Sequence, residues 1–304
     1  MAQPTFHLKR SPAASIQGAP INALSVDVED YYQVQALQSH FPRDSWEACV
    51  SRVDANTHRI LDLLAEKDVK ATFFTLAWIA ERHRSLIRSI VDQGHELASH
   101  GYAHIRADAQ SPEDFRSDIA KTKHILEDIG GTKVSGYRAA TFSISEKNFW
   151  VYDILAEEGY RYSSSINPVH HDHYGMPQAP RFAFLPVKNK AIEEYPISTV
   201  RLLGQNIPCA GGGYFRIFPY WITKRAIARV NALDGWPFIF YFHPWEVDPD
   251  QPRPEGVSAK SRFRHYTNLD KMEARLRRLL NDFDWGRMDH IFLDVVEKQE
   301  VTAS

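Results

Sequence analysis

The sequence predicts an α/β protein built on a mostly parallel sheet, and three patterns lead to that prediction. Short apolar runs of strand length alternate along the chain with segments of helical periodicity. Residue types that cap or end helices separate many of these segments. Acidic residues, histidine and arginine follow directly after several of the apolar runs. Because parallel α/β folds carry their chemistry at the carboxyl ends of the strands, the patterns favour an enzyme with an open sheet or a barrel.

Seven apolar runs are predicted as strands. They are residues 21–28, 69–75, the run that ends at Ser99, and residues 133–138, 160–163, 237–242 and 290–296. The predicted helices carry apolar stripes within residues 60–64, 86–91, 115–129, 149–155, 222–233 and 269–283. Their predicted capping residues are Asp54, Ser111 and Ser145.

One domain is expected over residues 21–298, preceded by a flexible tail over residues 1–20. Regular alternation lapses in residues 165–218, which are rich in proline, glycine, histidine and aromatic residues. A long structureless loop would be unusual in a compact domain, so we expect an insertion of hairpins and loops there.

Composition limits the functional classes. The chain has 304 residues, of which 43% are hydrophobic, and a formal net charge of −2. That length suffices for one large domain or two small ones. The sequence shows no basic stripe, so we expect no nucleic-acid partner.

Cysteine usage and hydropathy bear on the compartment. Cys49 and Cys209 are the two cysteines, and we expect reduced, buried thiols. No apolar run approaches the ~20 residues that cross a bilayer, and no secretory signal is visible. We therefore expect no transmembrane segment and a cytoplasmic protein.

Two histidines, His100 and His104, stand four residues apart just after Ser99. Ser99 is a good N-cap, so a turn of helix is predicted there. On such a turn residues i and i+4 share a face, so both imidazoles would point at one ion.

Three carboxylates, Asp27, Glu29 and Asp30, end the first predicted strand. Such groups repel one another unless a cation lies among them, which favours a metal site over structural caps. Two histidines and one carboxylate form a common catalytic zinc shell with a position left for water. Strand alternation puts Glu29 on the same side as Asp27, but the ligand is left open between Glu29 and Asp30.

Two further residues complete an ordered set. Arg138 follows a predicted strand, and His243 follows the apolar strand near the end of the chain. This order of motifs resembles the NodB-type polysaccharide deacetylases, carbohydrate esterases of family 4. The resemblance covers residues 21–296 and implies a distorted (β/α)7-type barrel, here with the insertion over 165–218. It is closest to the subgroup found with exopolysaccharide and exosortase (PEP-CTERM) loci, in residues 25–31, 211–216, 243–246 and 264–266.

The resemblance implies a role for each motif. His100 and His104 would bind Zn²⁺ or another divalent transition metal, with Glu29 or Asp30 as the third ligand. Asp30 has the shorter side chain that is usual in the family. Asp27 would be the base that takes a proton from the nucleophilic water, His243 the acid that protonates the departing amine, and Arg138 the residue that orients Asp27.

Other residues are predicted to contact substrate. The backbone N–H of Tyr31 or of a neighbouring residue is expected near the oxyanion, and Tyr214 and Trp245 could stack on sugar rings. Arg264, and with it Arg216, could neutralise an anionic glycan or a pyrophosphate carrier. The histidines at positions 170, 171 and 173 look like a metal cluster but are expected in a substrate-lining or solvated loop.

Two positions depart from the family pattern. Ala140 stands where the family usually has proline, and Ser163 stands where it has the aspartate that pairs with the acid histidine. A serine supplies no negative charge to raise the pKa of an imidazole. Either Glu246 or Asp248 takes that place, or His243 is a weaker acid.

The predicted function is removal of N-acetyl groups from amino sugars of a bacterial exopolysaccharide or its precursor, by a metal-dependent amide hydrolase. The predicted partner is an N-acetylated glycan or a lipid-linked sugar, and a homo-oligomer is left open. The alternatives are hydrolysis of a cyclic imide or ureide, and a catalytically weak glycan-binding protein. Acetate release, ring opening and metal content distinguish the three.

Overall fold

The computed structural model describes residues 6–9, 20–172, 174–187 and 192–293. Most of the tail predicted over residues 1–20, and the end of the domain predicted over residues 21–298, lie outside these ranges.

Twelve strands occur within the described residues. They are β1 (His7–Leu8), β2 (Asn22–Val28), β3 (Thr72–Thr75), β4 (Glu96–Ser99), β5 (Gly136–Tyr137), β6 (Tyr162–Ser163), β7 (Phe184–Leu185), β8 (Glu193–Glu194), β9 (Thr199–Leu202), β10 (Gln205–Pro208), β11 (Ile239–Phe242) and β12 (Trp285–Gly286).

The main sheet is parallel through its centre. Its order is β11-β2-β3-β4-β5-β6-β8, in which every neighbouring pair is parallel, and β12 also pairs parallel with β2. β7 and β1 extend the far edge in antiparallel orientation, whereas β9 and β10 form a separate hairpin. Within the described residues the end strands β1 and β11 are not paired with each other, so the curled sheet is an incomplete barrel. The predicted α/β barrel class is confirmed.

Ten α-helices occur in the described part of the chain. They are α1 (Val53–Glu66), α2 (Ala77–Arg82), α3 (Arg84–Asp92), α4 (Pro112–Gly130), α5 (Trp150–Glu157), α6 (Gly212–Ile217), α7 (Tyr220–Arg229), α8 (Ala259–Tyr266), α9 (Met272–Asp282) and α10 (Met288–Phe292). Their apolar faces and the strands form one buried core.

Helix α4 shows how local sequence sets an element. Ser111 is its N-cap and accepts the N–H of Asp114, Pro112 is its first residue, and Gly131 ends it with φ +62°. The predicted Ser111 cap is confirmed. The predicted Asp54 cap of α1 is wrong, because the carboxylate of Asp30 accepts the first N–H groups of that helix instead.

The end of the chain differs from the prediction. Residues 290–296 were expected as a strand, but α10 occupies residues 288–292, and residues 294–296 lie outside the described ranges. Met288 and Phe292 are both buried four residues apart, which is a helical spacing, and Asp289 accepts the N–H of His290. The last described strand is β12, whose residues pair with Asn22 and Ala23.

The insertion at residues 165–218 is more regular than expected. It contributes β7 and β8 to the main sheet, the β9–β10 hairpin, and α6. Strands of two residues are too short to show a period, so sequence pattern alone misses them.

Both cysteines are free thiols, as expected; Cys209 is buried as well, whereas the expected burial of Cys49 is wrong because it is only half-buried. None of the helices in the described ranges combines the length and the apolar character that crossing a bilayer requires.

Candidate active site

The predicted site residues meet at the carboxyl ends of neighbouring strands. Asp27 lies near the end of β2, His100 follows β4, Arg138 follows β5, and His243 follows β11. All four belong to the parallel part of the sheet, so they share one rim.

Arg138 and Asp27 form a buried ion pair beneath this rim. The Nη1 atom of Arg138 lies 2.6 Å from Oδ1 of Asp27 and also donates to Oγ of Ser25 at 2.9 Å. The other guanidinium nitrogens donate to the carbonyl and hydroxyl oxygens of Ser164, and the Phe74 ring lies 4.0 Å from the guanidinium carbon. Burial would raise the pKa of Asp27, but Arg138 and the nearby imidazoles lower it below its usual value. Asp27 is therefore held ionised in one orientation.

The imidazoles of His100 and His104 are buried and face each other, with ring centroids 5.3 Å apart. Burial lowers the pKa of His100 and lowers that of His104 to about 4. Both rings are thus neutral near pH 7, as metal binding requires. His100 Nδ1 lies 2.8 Å from the carbonyl oxygen of Arg138, so Nδ1–H donates and Nε2 keeps its lone pair.

Glu29 completes a group that fits a cation. Its carboxylate and the ring nitrogens of His100 and His104 offer ligand atoms within 4.8 Å of one another. Oε2 of Glu29 lies 3.0 Å from Nε2 of His104 but is buried without any hydrogen bond of acceptable geometry. A buried carboxylate oxygen in that state is costly unless a cation or a proton compensates it. Two neutral histidines and one carboxylate are the donor types that Zn²⁺ prefers.

Asp30 is used differently from Glu29. Its Oδ2 accepts from the Ser51 hydroxyl and from the N–H groups of Arg52 and Val53, at 3.0, 2.7 and 2.9 Å. Its Oδ1 accepts the N–H of Tyr31 at 2.9 Å. The carboxylate that the sequence could not assign therefore caps α1.

The loop that carries the two histidines is not the predicted turn of helix. Gly101 has φ +77° and His104 has φ +52°, so the chain makes two left-handed steps instead of a helical turn. Asp118 on α4 accepts the N–H of Tyr102 at 2.8 Å, and Arg43 donates to the carbonyl of Ala103 at 3.0 Å. These two contacts hold adjacent residues in the middle of the loop.

His243 is the most accessible member of the site. Its side chain is 19% exposed, compared with 3% for Asp27 and 4% for Glu29. Its Nε2 lies 3.4 Å from Oε1 of Glu29 and 3.9 Å from Oδ2 of Asp27, and its Nδ1 lies 2.8 Å from Oε1 of Glu246. Burial would lower the pKa of His243, but Glu29, Glu246 and Asp27 raise it to about 9. The protonated imidazole thus faces the site.

Another carboxylate contacts His243 where the family pattern would have an aspartate at position 163. Ser163 donates to Ser165 at 2.7 Å and also interacts with Glu194. Asp248 instead pairs with Arg52 and Asn56. Of the two predicted substitutes, Glu246 is the one in contact with His243.

Two expected substrate contacts need correction. The N–H of Tyr31 already donates to Asp30, and its ring is buried edge-on against Phe41 at 5.4 Å, so it is not free for an oxyanion. Trp245 lies between the rings of His243 and His265, with centroid distances of 5.1 and 4.2 Å. Both faces of the indole are therefore covered, and it cannot stack on a sugar.

Other predicted contacts lie toward the surface. The ring of Tyr214 is half-buried and stacks on Phe218, whereas Arg264 is exposed and pairs with Asp172 at 3.5 Å. Arg216 is fully buried and donates to Glu246 and three carbonyl oxygens, so it is not available to an anionic glycan.

The histidine-rich loop lies apart from the candidate ligands. His170 is exposed, and His171 stacks on Tyr174 at 4.0 Å. His173 lies outside the described residues. Among the residues that the structure describes, only Glu29, His100 and His104 form a cluster able to hold a metal.

Two supporting carboxylates were missed by sequence reasoning. Glu194 accepts the N–H groups of Ser165 and Ile166 at 2.8 Å, next to the Ser164 that holds Arg138. Asp118 braces the histidine loop, as described above. For Asp118 the sequence does hold a signal, a carboxylate on the apolar face of a helix, because Asp118 lies three residues from the buried Phe115.

Comparison with known proteins finds two family models that match different parts of the chain. Residues 44–163 match the family model described as polysaccharide deacetylase, and residues 164–293 match a domain of unknown function (DUF3473). A Bacillus cereus peptidoglycan-N-acetylglucosamine deacetylase is 36% identical over 75 residues, which are 25% of this chain and 27% of that protein. The chain thus aligns with about a quarter of that relative's length.

Two solved structures have a similar fold. A crystal structure named as a putative polysaccharide deacetylase from Mycobacterium smegmatis has a TM-score of 0.61 at 19% identity, covering 98% of this chain and 96% of the other. The Puue allantoinase structure has a TM-score of 0.60 at 15% identity, covering 97% and 95%. Identities this low report on the fold alone. Residues 44–163 thus match the polysaccharide deacetylase family, and the fold of the chain agrees with that match.

Proposed function

We propose that this protein is a metal-dependent hydrolase that removes N-acetyl groups from amino sugars of a bacterial polysaccharide or its precursor. The observation that carries the proposal is the geometry at one rim of the sheet. There Nε2 of His243 lies within 4 Å of both Asp27 and Glu29, and Glu29 adjoins the two buried neutral histidines. The name of the aligned Bacillus cereus relative supports an N-acetylglucosamine substrate.

Glu29, His100 and His104 would hold the cation, for which we propose Zn²⁺. A divalent cation bound there supplies Lewis-acid chemistry, polarising the amide carbonyl and making water more acidic. Two neutral imidazoles with one carboxylate leave a net positive charge at such a site, which suits a reaction that develops an oxyanion.

Asp27 is the proposed general base. A water molecule attacks the acetyl carbon, and Asp27 accepts a proton from it as the new C–O bond forms. Because Arg138 fixes its other oxygen, Oδ2 is the atom available for that proton. General acid–base steps of this kind are each worth about 10²–10⁴-fold.

His243 is the proposed general acid. The C–N bond breaks as Nε2 delivers its proton to the departing amine nitrogen, which gives acetate and the free amino sugar. The exposed fraction of His243 supports a leaving sugar that faces solvent, as a polymeric substrate requires. At the outer rim we propose Tyr214 and Arg264 as glycan contacts, because both are accessible and lie near one another beside Tyr174.

The test is acetate release from N-acetylglucosamine oligomers by the full chain, with and without added Zn²⁺. We expect zinc-dependent release that His100→Ala abolishes together with bound metal. His124→Ala changes an exposed histidine on α4 and should retain both. Ring opening of allantoin without acetate release would refute the proposal, as would a metal-free protein that releases none.

A further inference from the structure

Three glycine-, arginine- and aromatic-rich segments converge behind His243. They are residues 211–216, 243–246 and 264–267, which are distant in sequence and all lie in the region matched by the domain of unknown function. Gly212 and Arg216 of the first segment adjoin the side chain of Glu246, which is fully buried, and the third segment accepts hydrogen bonds from Arg216.

Glu246 holds His243 by two bonds from one oxygen. Its Oε1 accepts the backbone N–H of His243 at 3.1 Å and Nδ1–H of the same residue at 2.8 Å. The carboxylate therefore sets both the position of the residue and the rotation of its ring. With Nδ1 engaged in this way, Nε2 points toward Asp27 and Glu29.

Arg216 holds Glu246 from the other side. Its Nε donates to Oε2 of Glu246 at 2.7 Å, and its remaining nitrogens donate to the carbonyl oxygens of Arg264, His265 and Thr267 at 3.1, 3.0 and 2.6 Å. A guanidinium fixed by four acceptors leaves Glu246 little freedom to rotate.

Gly212 makes room for this carboxylate. A Cβ atom built on Gly212 would lie 2.1 Å from Oε1 of Glu246. The ring of His243 is also stacked on Trp245, which stacks on His265. Each of the three segments thus contributes a contact that restricts the same imidazole.

We propose that Glu246, held in place by Arg216, is the positioning residue that orients the imidazole of His243 for proton transfer. It takes over the task that the family resemblance assigns to an aspartate where this chain has Ser163, whose hydroxyl is bonded to Ser165 instead. The segment of unknown function would then be an integral part of the active site. This inference rests on the proposed function, because it gives His243 its role.

The first test compares Glu246→Gln with Asp248→Asn in the full, metal-loaded protein. Asp248 is a buried carboxylate two residues away that pairs with Arg52 and has no contact with His243. We expect Glu246→Gln to lower kcat about 10- to 100-fold with KM changed less than about threefold, the range typical of residues that orient an active imidazole. Asp248→Asn should stay within about twofold of the wild-type kcat.

A double-mutant cycle separates orientation from a general loss of structure. In a His243→Gln background, adding Glu246→Gln should reduce kcat by less than about twofold, because Glu246 acts through the imidazole. A further reduction as large as in the wild-type background would overturn the inference.

A spectroscopic readout does not depend on activity or on the folding of a variant. In wild-type protein, NMR of the His243 ring should show a downfield Nδ1 proton, as expected for a bond to a carboxylate. An Nδ1 without a bonded proton would overturn the inference even if acetate is released. If the wild type releases acetate and Glu246→Gln has an unchanged kcat, the inference about Glu246 is overturned and the proposed function stands. If the wild type releases no acetate, the proposed function itself is refuted.

Discussion

Replacing each of two adjacent carboxylates, Glu29 and Asp30, by its amide should separate the residue that binds metal from the residue that stabilises the fold. Glu29→Gln removes the charge of a carboxylate whose Oε2 atom accepts no hydrogen bond. The amide oxygen of the glutamine can keep the 3.4 Å contact with the indole N–H of Trp245. We therefore expect the free energy of unfolding of the metal-free protein to change by less than about 1 kcal/mol. Zinc affinity should fall at least about 10-fold, because one of three ligands loses its charge.

Asp30→Asn should have the opposite profile. The single amide oxygen can serve Ser51, Arg52 and Val53, but the NH₂ group then faces the N–H of Tyr31. A lost charge-assisted bond is worth about 1.5–3 kcal/mol, and an unsatisfied buried N–H costs about 1–3 kcal/mol. Allowing for relaxation, we expect about 3 kcal/mol of destabilisation with zinc affinity nearly unchanged.

Urea denaturation and zinc titration of both variants measure these effects. The two substitutions are matched, because each replaces a buried carboxylate by its amide at neighbouring positions. Loss of zinc binding by Asp30→Asn with wild-type stability would show that the assignment of the two residues is reversed.

Three further predictions concern Ser163, Glu96 and Gly101. Ser163→Asp should destabilise the protein and leave kcat no higher than in the wild type, because the new carboxylate would lie beside buried Glu194; a gain in activity would contradict this. Burial, and then Asp289, raise the pKa of Glu96 to about 8, so its neutral form favours folding. Its stabilising effect is complete below about pH 4.5 and lost as pH rises through 8, by up to about 1.4 kcal/mol per unit. Urea denaturation at pH 5 and 8 should therefore show a smaller difference in Glu96→Gln than in the wild type, and an equal difference would refute the assignment. Gly101→Ala places a side chain at φ +77°, which should destabilise by about 1 kcal/mol and weaken zinc binding several-fold in titrations. The same change at Gly213 in α6, where an added Cβ would meet no atom within 4 Å, should leave zinc affinity unaltered.

Strand-end chemistry was predictable from sequence, whereas local loop geometry was not. Asp27, His100, Arg138 and His243 each follow a recognisable apolar run, so the parallel sheet alone brings them to one rim. The left-handed backbone at His104 has no sequence signal of its own, since it depends on contacts that fix the loop from other elements.

Long-range partners explain the remaining differences. Asp30 and Glu29 are adjacent in sequence, and only the hydrogen bonds from residues 51–53 show that Asp30 caps a helix. Proximity in sequence suggests two carboxylates, Glu246 and Asp248, as the partner of His243. Assigning Glu246 required the contact of its carboxylate with Nδ1 of His243, and the Arg216 that holds this carboxylate comes from a part of the chain without clear periodicity.

A zinc anomalous-difference map from crystals of the full chain tests the central claim most directly. We predict one strong peak about 2.0–2.2 Å from a carboxylate oxygen of Glu29 and a ring nitrogen each of His100 and His104, with Asp27 and His243 beside it. A peak ligated by Asp30, a peak at the loop of His170 and His171, or no peak in zinc-containing crystals would contradict the account.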